Sequence, residues 1–222
     1  TGRPAHQGPI YCAFRASSSF EQLEMTATFL GLESQILHRH PQVHWISLDL
    51  LNYNEAITAL PAKNYSWEVI HAAAVIDVNR GNSGANPNAR LTHEVLLLAE
   101  ALNAQHFTQI SSIAVMGNAA TLDEENLLEV ADFQPNKSKD SLGTYAKSKI
   151  LSELDVWRAH QEGMSISIIR PGVIVGIGPI SASPQELWRR LWHKKLPIST
   201  DGRTGIVDVR DAAEIVGRAH RE

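Results

Sequence analysis

The sequence predicts a doubly wound α/β domain built on a parallel sheet, and three observations predict it. Apolar runs of strand length recur along the chain, most of them separated by stretches with helical periodicity. Strands that alternate with helices form βαβ units, and the strands of such units run parallel. The residues that close the runs are also unusual: Arg15, Asp49, the small trio Ala72 to Ala74, Ser112 and Pro171. Ligands of open parallel sheets bind beyond the carboxyl ends of the strands, so these residues are expected on one edge. Finally, Tyr145 and Lys149 stand four residues apart in a predicted helix, which puts them on one face about one turn apart.

The elements follow in order. Pro9 to Arg15 (PIYCAFR) reads as a buried strand. Ser17 to Leu37 reads as a helix, with serines to cap it and Phe20, Leu23, Ala27 and Leu30 at helical spacing. Val43 to Leu50 is the next strand and ends in Asp49-Leu50. A short helix over Asn54 to Leu60 leads to the strand Glu68 to Ala74. Pro87 to Asn103 is a helix with Leu91, Val95, Leu98 and Leu102 on one face, and Phe107 to Ser112 is the strand after it. That strand finishes in hydroxyls, which a purely structural strand does not need. The stretch from Gly117 to Gly143 has the length of a functional loop. Thr144 to Gln161 is the helix of the Tyr/Lys pair, closed by Gly163, and Met164 to Arg170 is a strand stopped by Pro171-Gly172.

Composition sets the outer limits. At 222 residues, 43% hydrophobic and 20% charged, the chain is an ordinary soluble globular protein with a sizeable core. A net charge of -4 gives no bulk attraction to nucleic acid or anionic membrane. The single Cys12 forms no internal disulfide and fits a reducing compartment, and no apolar run reaches the roughly 20 residues of a membrane span. A soluble cytoplasmic protein is the expectation, with neither nucleic acid nor membrane as partner. No metal-ligand cluster stands out; His38-Arg39-His40 reads as a solvated helix end.

The Tyr145/Lys149 spacing has chemical content. Free tyrosine titrates at about 10, and a neighbouring cation favours the phenolate, which brings the group toward the range useful for general acid-base work. Chance alone supplies such a pair in about one chain in eight of this composition, so the spacing needs company.

That company is an ordered series of motifs: Asp49-Leu50, VIHAAA (Val69 to Ala74), Asn88 opening a helix with Thr92 and Leu96 to Leu98, ISSIAVMG (Ile110 to Gly117), YAKSK (Tyr145 to Lys149) with Glu153 behind it, IIRPG (Ile168 to Gly172) and GIVDVRDAAE (Gly205 to Glu214). From about residue 9 to the end, the chain resembles the extended short-chain dehydrogenase/reductase family, which includes dihydroflavonol-reductase-like enzymes and nucleotide-sugar epimerases. The resemblance implies a Rossmann-type domain over residues 1–175 and part of a small substrate-binding region over 176–222. It implies Tyr145 as the acid that protonates a carbonyl oxygen, Lys149 as the group that lowers its pKa and bonds the nicotinamide ribose, and Ser112 as a hydrogen-bond partner of the substrate oxygen, with Ser111 the lesser candidate. Asn88 would support the site; its alternative is a helix N-cap.

For the cofactor, the resemblance places Asp49 and Leu50 at the adenine, Ala72, Ala73 and Ala74 along the dinucleotide, and Pro171, Gly172 and Val173 at the nicotinamide. Arg15 stands where an acidic residue would bind the 2′-hydroxyl of NAD. A guanidinium suits a 2′-phosphate, so NADP is expected, with NAD the alternative.

One part of the pattern departs. The Gly-rich pyrophosphate loop is represented only by Thr1-Gly2, and six residues separate Gly2 from Pro9. That is too few for a loop and a crossover helix, so the first strand and a stretch after Gly2 are expected to be missing. Family members also continue beyond GIVDVRDAAE. Pro184 to His193 reads as a short amphipathic helix whose Trp188 and Trp192 pack on the domain or stack on a ring substrate, followed by Lys194-Lys195.

The reading is an NADP-dependent reductase of a small-molecule ketone or aldehyde. Its rivals are a nucleotide-sugar epimerase or dehydratase holding NAD, a thioester-reductase-like enzyme (resembled by YCAFRA, Tyr11 to Ala16), and a non-catalytic NAD(P)-sensing regulator. A homodimer through the helices at Pro87–Asn103 and Thr144–Gln161 is expected from the resemblance.

Overall fold

The structure is a computed structural model that describes residues 8–18, 20–29, 31, 39–61, 65–75, 87–116, 143–176, 189, 192–193 and 204–220. Every strand pairing among these residues is parallel. Strand β1 (Ile10–Phe14) pairs with β2 (Val43–Ser47) in the register Ile10 to Val43. Strands β3 (Glu68–His71), β4 (His106–Ile110) and β5 (Ser165–Ile169) form a second ladder with β4 in the middle. Each predicted strand is present and stops one to three residues early at its carboxyl end, while β4 begins one residue before its expected start, at His106. The trimmed residues, among them Arg15, Asp49, Ala72 to Ala74, Ser112 and Arg170, lie just beyond the carboxyl ends of their strands.

The helices bury what their periodicity promised, and one buries more. Helix α1 (Phe20–Phe29) falls inside its predicted range, of which residues 19, 30 and 32–37 lie outside the described residues, and helix α2 (Tyr53–Ala59) starts and ends one residue before its predicted bounds; Asn52 caps α2 by accepting from the Glu55 N–H at 3.4 Å. Helix α3 (Asn88–Ala101) was expected to have one apolar face. Instead, Val95, Leu96 and Ala99 pack on Phe107 of β4 and on Val156 and Ala159 of helix α4 (Thr144–Gln161), while Leu98 and Leu102 pack on Leu48 and Ala56. A helix wedged between the sheet and helices on either side needs an apolar stripe wider than one row.

Helix α4 has the predicted boundaries at both ends. Its C-terminal turn closes on Gly163 at φ +107, where the Gly163 N–H meets the His160 carbonyl at 2.9 Å and the Met164 N–H the Ala159 carbonyl at 3.0 Å. A side chain at that φ would be strained, which is why glycine ends the helix there.

Past β5 the chain turns through Pro171-Gly172 into β6 (Val173–Val175), which pairs with β7 (Ile206–Asp208); helix α5 (Val209–Ala219) follows. Gly172 is required by close approach: a Cβ there would lie 2.3 Å from the Gly205 carbonyl oxygen. The end of α5 docks on the three-stranded ladder through polar contacts, His220 Nδ1 to Thr108 Oγ1 at 2.9 Å and Ser167 Oγ donating to the Ala219 carbonyl at 3.1 Å. Thr1, Gly2, Trp188, Lys194, Lys195 and the 117–142 stretch lie outside the described residues. Trp192 is 86% exposed, so among the described residues it packs on nothing that would make it core. No described helix is long and apolar enough to cross a membrane.

Candidate active site

Two neighbouring strand ends and one helix build the site. Beyond β4 the ladder with β5 continues in backbone bonds alone, from Ser111 N to the Ile169 carbonyl at 2.7 Å and from Ile113 N to the Pro171 carbonyl at 3.0 Å. Ser112 sits between them and starts the 3₁₀ turn Ile113–Met116, its Oγ accepting from the Ala114 N–H at 3.1 Å. That contact uses a lone pair and leaves the hydroxyl proton for another partner. Tyr145 stands on the first turn of α4, and the Ser112 hydroxyl favours its phenolate. The strand-cap role and the site role of Ser112 therefore coexist.

Lys149, one turn further along α4, is 3% exposed and donates from Nζ to the Ile110 carbonyl at 2.9 Å. Burial lowers its pKa, and the Glu153 carboxylate opposes that loss of charge. The Tyr145 pKa is raised, because burial disfavours the phenolate by more than the Ser112 hydrogen bond restores. This reverses the direction expected from the Tyr/Lys spacing. The physical reason is that water lost from around the phenol on burial weighs more than its neighbours give back.

His71 closes the site from the end of β3. It is 3% exposed and shares a 3.2 Å hydrogen bond from Nε2 with Thr92 Oγ1 of α3. Burial first and the Lys149 charge second push its pKa down to about 4, so the ring is neutral at physiological pH. Asn88, 2% exposed, does not cap its helix with its side chain. Its Oδ1 accepts from the Val75 N–H at 2.7 Å, and its Nδ2 donates to the Val75 carbonyl at 3.1 Å and to Ser148 Oγ at 3.4 Å. Ser148 Oγ in turn donates to the Tyr145 carbonyl at 2.7 Å. Asn88 thus ties the segment after β3 to the turn that carries Tyr145.

Beneath the pair lies a group that sequence reasoning left without a role. Glu153 is 1% exposed. It accepts from Ser111 Oγ at 2.5 Å and from the Arg170 fork, with Nε to Oε1 at 3.0 Å and Nη2 to Oε2 at 2.7 Å. Its position was available in the spacing: Tyr145, Lys149 and Glu153 step by four along one helix face. His71 and Arg170 carried no such signal, because their roles depend on which elements lie beside their strand ends.

The candidate cofactor residues occupy the same kind of position on the other strands. Arg15, Ala16, Ser17, Ser47, Leu48, Asp49 and Glu55 line a cleft of about 390 Å³ at the carboxyl ends of β1 and β2. Asp49 holds its own turn, Oδ1 accepting from the Leu51 N–H at 3.0 Å, while Leu50 packs against the core. After β3, Ala72 and Ala73 are exposed and present only methyl groups, and Ala74 is half-buried. Pro171, Gly172 and Val173 are half-buried at the β5–β6 turn. An exposed guanidinium in an open cleft, a small-residue strip and a buried ammonium suit the phosphate, ribose and nicotinamide portions of a dinucleotide. Among the described residues no group of three or more His, Cys, Asp or Glu is placed to hold a metal ion.

A parallel doubly wound sheet with a serine, a tyrosine and a lysine at its carboxyl edge defines the class: a Rossmann-type protein of the extended short-chain dehydrogenase/reductase kind. Within it, the family model described as "male sterility protein", an NAD-binding domain, matches residues 3–199, and the chain belongs to that family. No curated protein matches the chain. Among solved structures it is similar to a thiolation-reductase di-domain from an archaeal non-ribosomal peptide synthetase, at 21% identity and TM-score 0.63 over 86% of this chain and 53% of that one. It is also similar to the terminal R domain from the myxalamid PKS-NRPS biosynthetic pathway, at 20% identity and TM-score 0.67 over 94% and 54%. A third is a dTDP-glucose 4,6-dehydratase from Streptomyces venezuelae with NAD and DAU bound, at 20% identity and TM-score 0.65 over 81% and 55%. These likenesses show a shared fold, and the chain spans about half the length of those structures.

Proposed function

We propose that this chain is the catalytic NADP-binding part of a reductase that converts a small-molecule ketone or aldehyde to the alcohol. The observation that carries the reading is the half-buried Tyr145, whose phenolate the Ser112 hydroxyl favours, one helical turn from the buried Lys149 ammonium. Arg15, Asp49, Leu50, Ala72 to Ala74, Lys149 and Pro171 to Val173 would hold the cofactor, which supplies the hydride when bound. Ser112 and Tyr145 grip the carbonyl oxygen as negative charge develops on it, and Tyr145 gives that oxygen its proton. A phenol held above its ordinary pKa stays protonated across the neutral range, as a donor must. The Lys149 charge, one turn away, stabilises the phenolate left behind.

Arg15 supports NADP over NAD, since a fork of N–H donors suits a 2′-phosphate and offers nothing to a 2′-hydroxyl that an acidic residue would not do better. A second reading, reduction of an acyl thioester to the aldehyde, is favoured by two of the structural likenesses, which are reductase domains of synthetases, one of them joined to a thiolation domain. Oxidation of NADPH against a panel of ketones, aldehydes and acyl thioesters separates the two. Tyr145→Phe is expected to abolish turnover and spare NADPH binding; unchanged turnover refutes the assignment of the acid, and a preference for NADH refutes the role of Arg15.

The reading includes a homodimer formed through α3 and α4. It is supported by the outer face of α4, where Leu151, Leu154 and Trp157 are 54%, 45% and 45% exposed. Leu154→Glu is expected to give a monomer in sedimentation velocity, and a wild-type monomer refutes it.

A further inference from the structure

Glu153 is saturated with hydrogen bonds, yet nothing in the proton-transfer chemistry touches it. Its Oε1 accepts from Ser111 Oγ and Arg170 Nε, and its Oε2 from Arg170 Nη2. Those partners come from the ends of β4 and β5, so one carboxylate ties helix α4 to both strands on which the site is built. We propose that Glu153, held by the Arg170 fork, is the positioning residue of the site: it latches Ser111 so that the next residue, Ser112, meets Tyr145, and it sets its carboxylate one helical turn from the Lys149 ammonium. The inference rests on the reading that Tyr145 and Lys149 carry the proton transfer.

The geometry gives the latch its leverage. Glu153 lies one turn below Lys149 and two turns, about 12 Å, below Tyr145 on the same helix face. A rotation or slide of α4 that separated Tyr145 from Ser112 would therefore also break the Ser111 and Arg170 bonds. The fork fixes the carboxylate in one rotamer, since a guanidinium offers parallel donors in rigid geometry. Ser111 is pinned twice, by its backbone bond to Ile169 and by its hydroxyl, both within 2.7 Å. Ser112, half-buried, has a side chain otherwise committed only to its own turn.

The charge matters because of what else faces Lys149. From its own helix come Tyr145 and Glu153; from the end of β3 comes His71, whose positive form would repel it; from the end of β4 comes the Ile110 carbonyl; and Arg170, from the end of β5, stands behind Glu153. Of these groups Glu153 alone is a carboxylate, and it favours the ammonium. Burial acts in the opposite sense.

The test uses two variants of the full-length enzyme and two readouts. Glu153→Gln keeps an acceptor for Ser111 and removes the charge. In protein labelled with ¹³C-lysine, the Lys149 ε-carbon signal, assigned with Lys149→Arg, is expected to titrate at lower pH in Glu153→Gln than in wild type. Ser111→Ala keeps the charge and releases the strand end; Lys149 titrates as in wild type, and kcat for NADPH-dependent reduction falls roughly tenfold or more with KM within about threefold, the signature of misplaced reacting groups. A residue that only holds the fold together would change the melting temperature and neither of these. Unchanged Lys149 titration in Glu153→Gln overturns the electrostatic half, and wild-type kcat in Ser111→Ala overturns the latch; if Glu153→Gln does not fold, the Ser111→Ala arm decides. Active Tyr145→Phe would sink the underlying reading instead, and is scored separately from both.

Discussion

Replacing His71 by glutamine is expected to flatten the acid side of the pH–stability profile. His71 is 3% exposed, and burial together with the Lys149 charge lowers its pKa from 6.5 to about 4. The unfolded chain takes up that proton near pH 6.5, whereas the folded chain resists until about pH 4. The unfolded state thus binds more protons between the two values, and stability falls as pH drops through the window. The contribution is fully present above about 6.5 and lost as pH falls toward 4. Integrated between pH 7 and pH 5, the loss is about 2 kcal/mol, and it approaches roughly 3 kcal/mol below pH 4. Glutamine retains an amide for Thr92 and does not titrate. Urea unfolding of wild type and His71→Gln at pH 7, 6 and 5, with the slopes compared to confirm two-state behaviour, measures the difference directly. A wild-type midpoint that does not move between pH 7 and pH 5, or a variant that moves as much as wild type, refutes the reasoning.

Three other substitutions test the rest of the account. Asn88→Ala strips partners from both backbone groups of Val75 and from Ser148. At about 1 to 3 kcal/mol for each orphaned group, and with Val75 only half-buried, the cost is roughly 2 to 4 kcal/mol by urea unfolding; less than about 0.5 kcal/mol would show that the clamp is not needed. Arg15→Ala is expected to weaken NADPH binding roughly 10- to 100-fold, the value of one charge-assisted contact, and to change NADH binding little; fluorescence titration of both cofactors decides. Gly172→Ala forces a methyl group to within 2.3 Å of the Gly205 carbonyl oxygen. The backbone must move, at a cost of about 1 to 3 kcal/mol, and a melting temperature equal to wild type would rule out that close approach.

Much of this protein was legible without coordinates. Element type and order follow from short-range periodicity, so the parallel α/β plan and the boundaries of Thr144–Gln161 needed only the residues of each segment and the glycine that ends the helix. The same is true of the Tyr145/Lys149/Glu153 face, which four-residue steps put on one side of a helix whatever lies beside it.

What the tertiary structure decided is everything that depends on burial and on partners distant in sequence. The direction of the Tyr145 pKa was reversed because dehydration of the phenol outweighs the Ser112 hydrogen bond. Lys149 is engaged by a carbonyl 39 residues earlier in the chain, and Asn88 by groups 13 and 60 residues away. The two-sided burial of α3, the neutral His71 and the Arg170 fork on Glu153 arise only when helices settle on particular strands. Local spacing can place side chains on a common face; only packing decides how much water they keep and which charges they meet, and those two quantities set their chemistry.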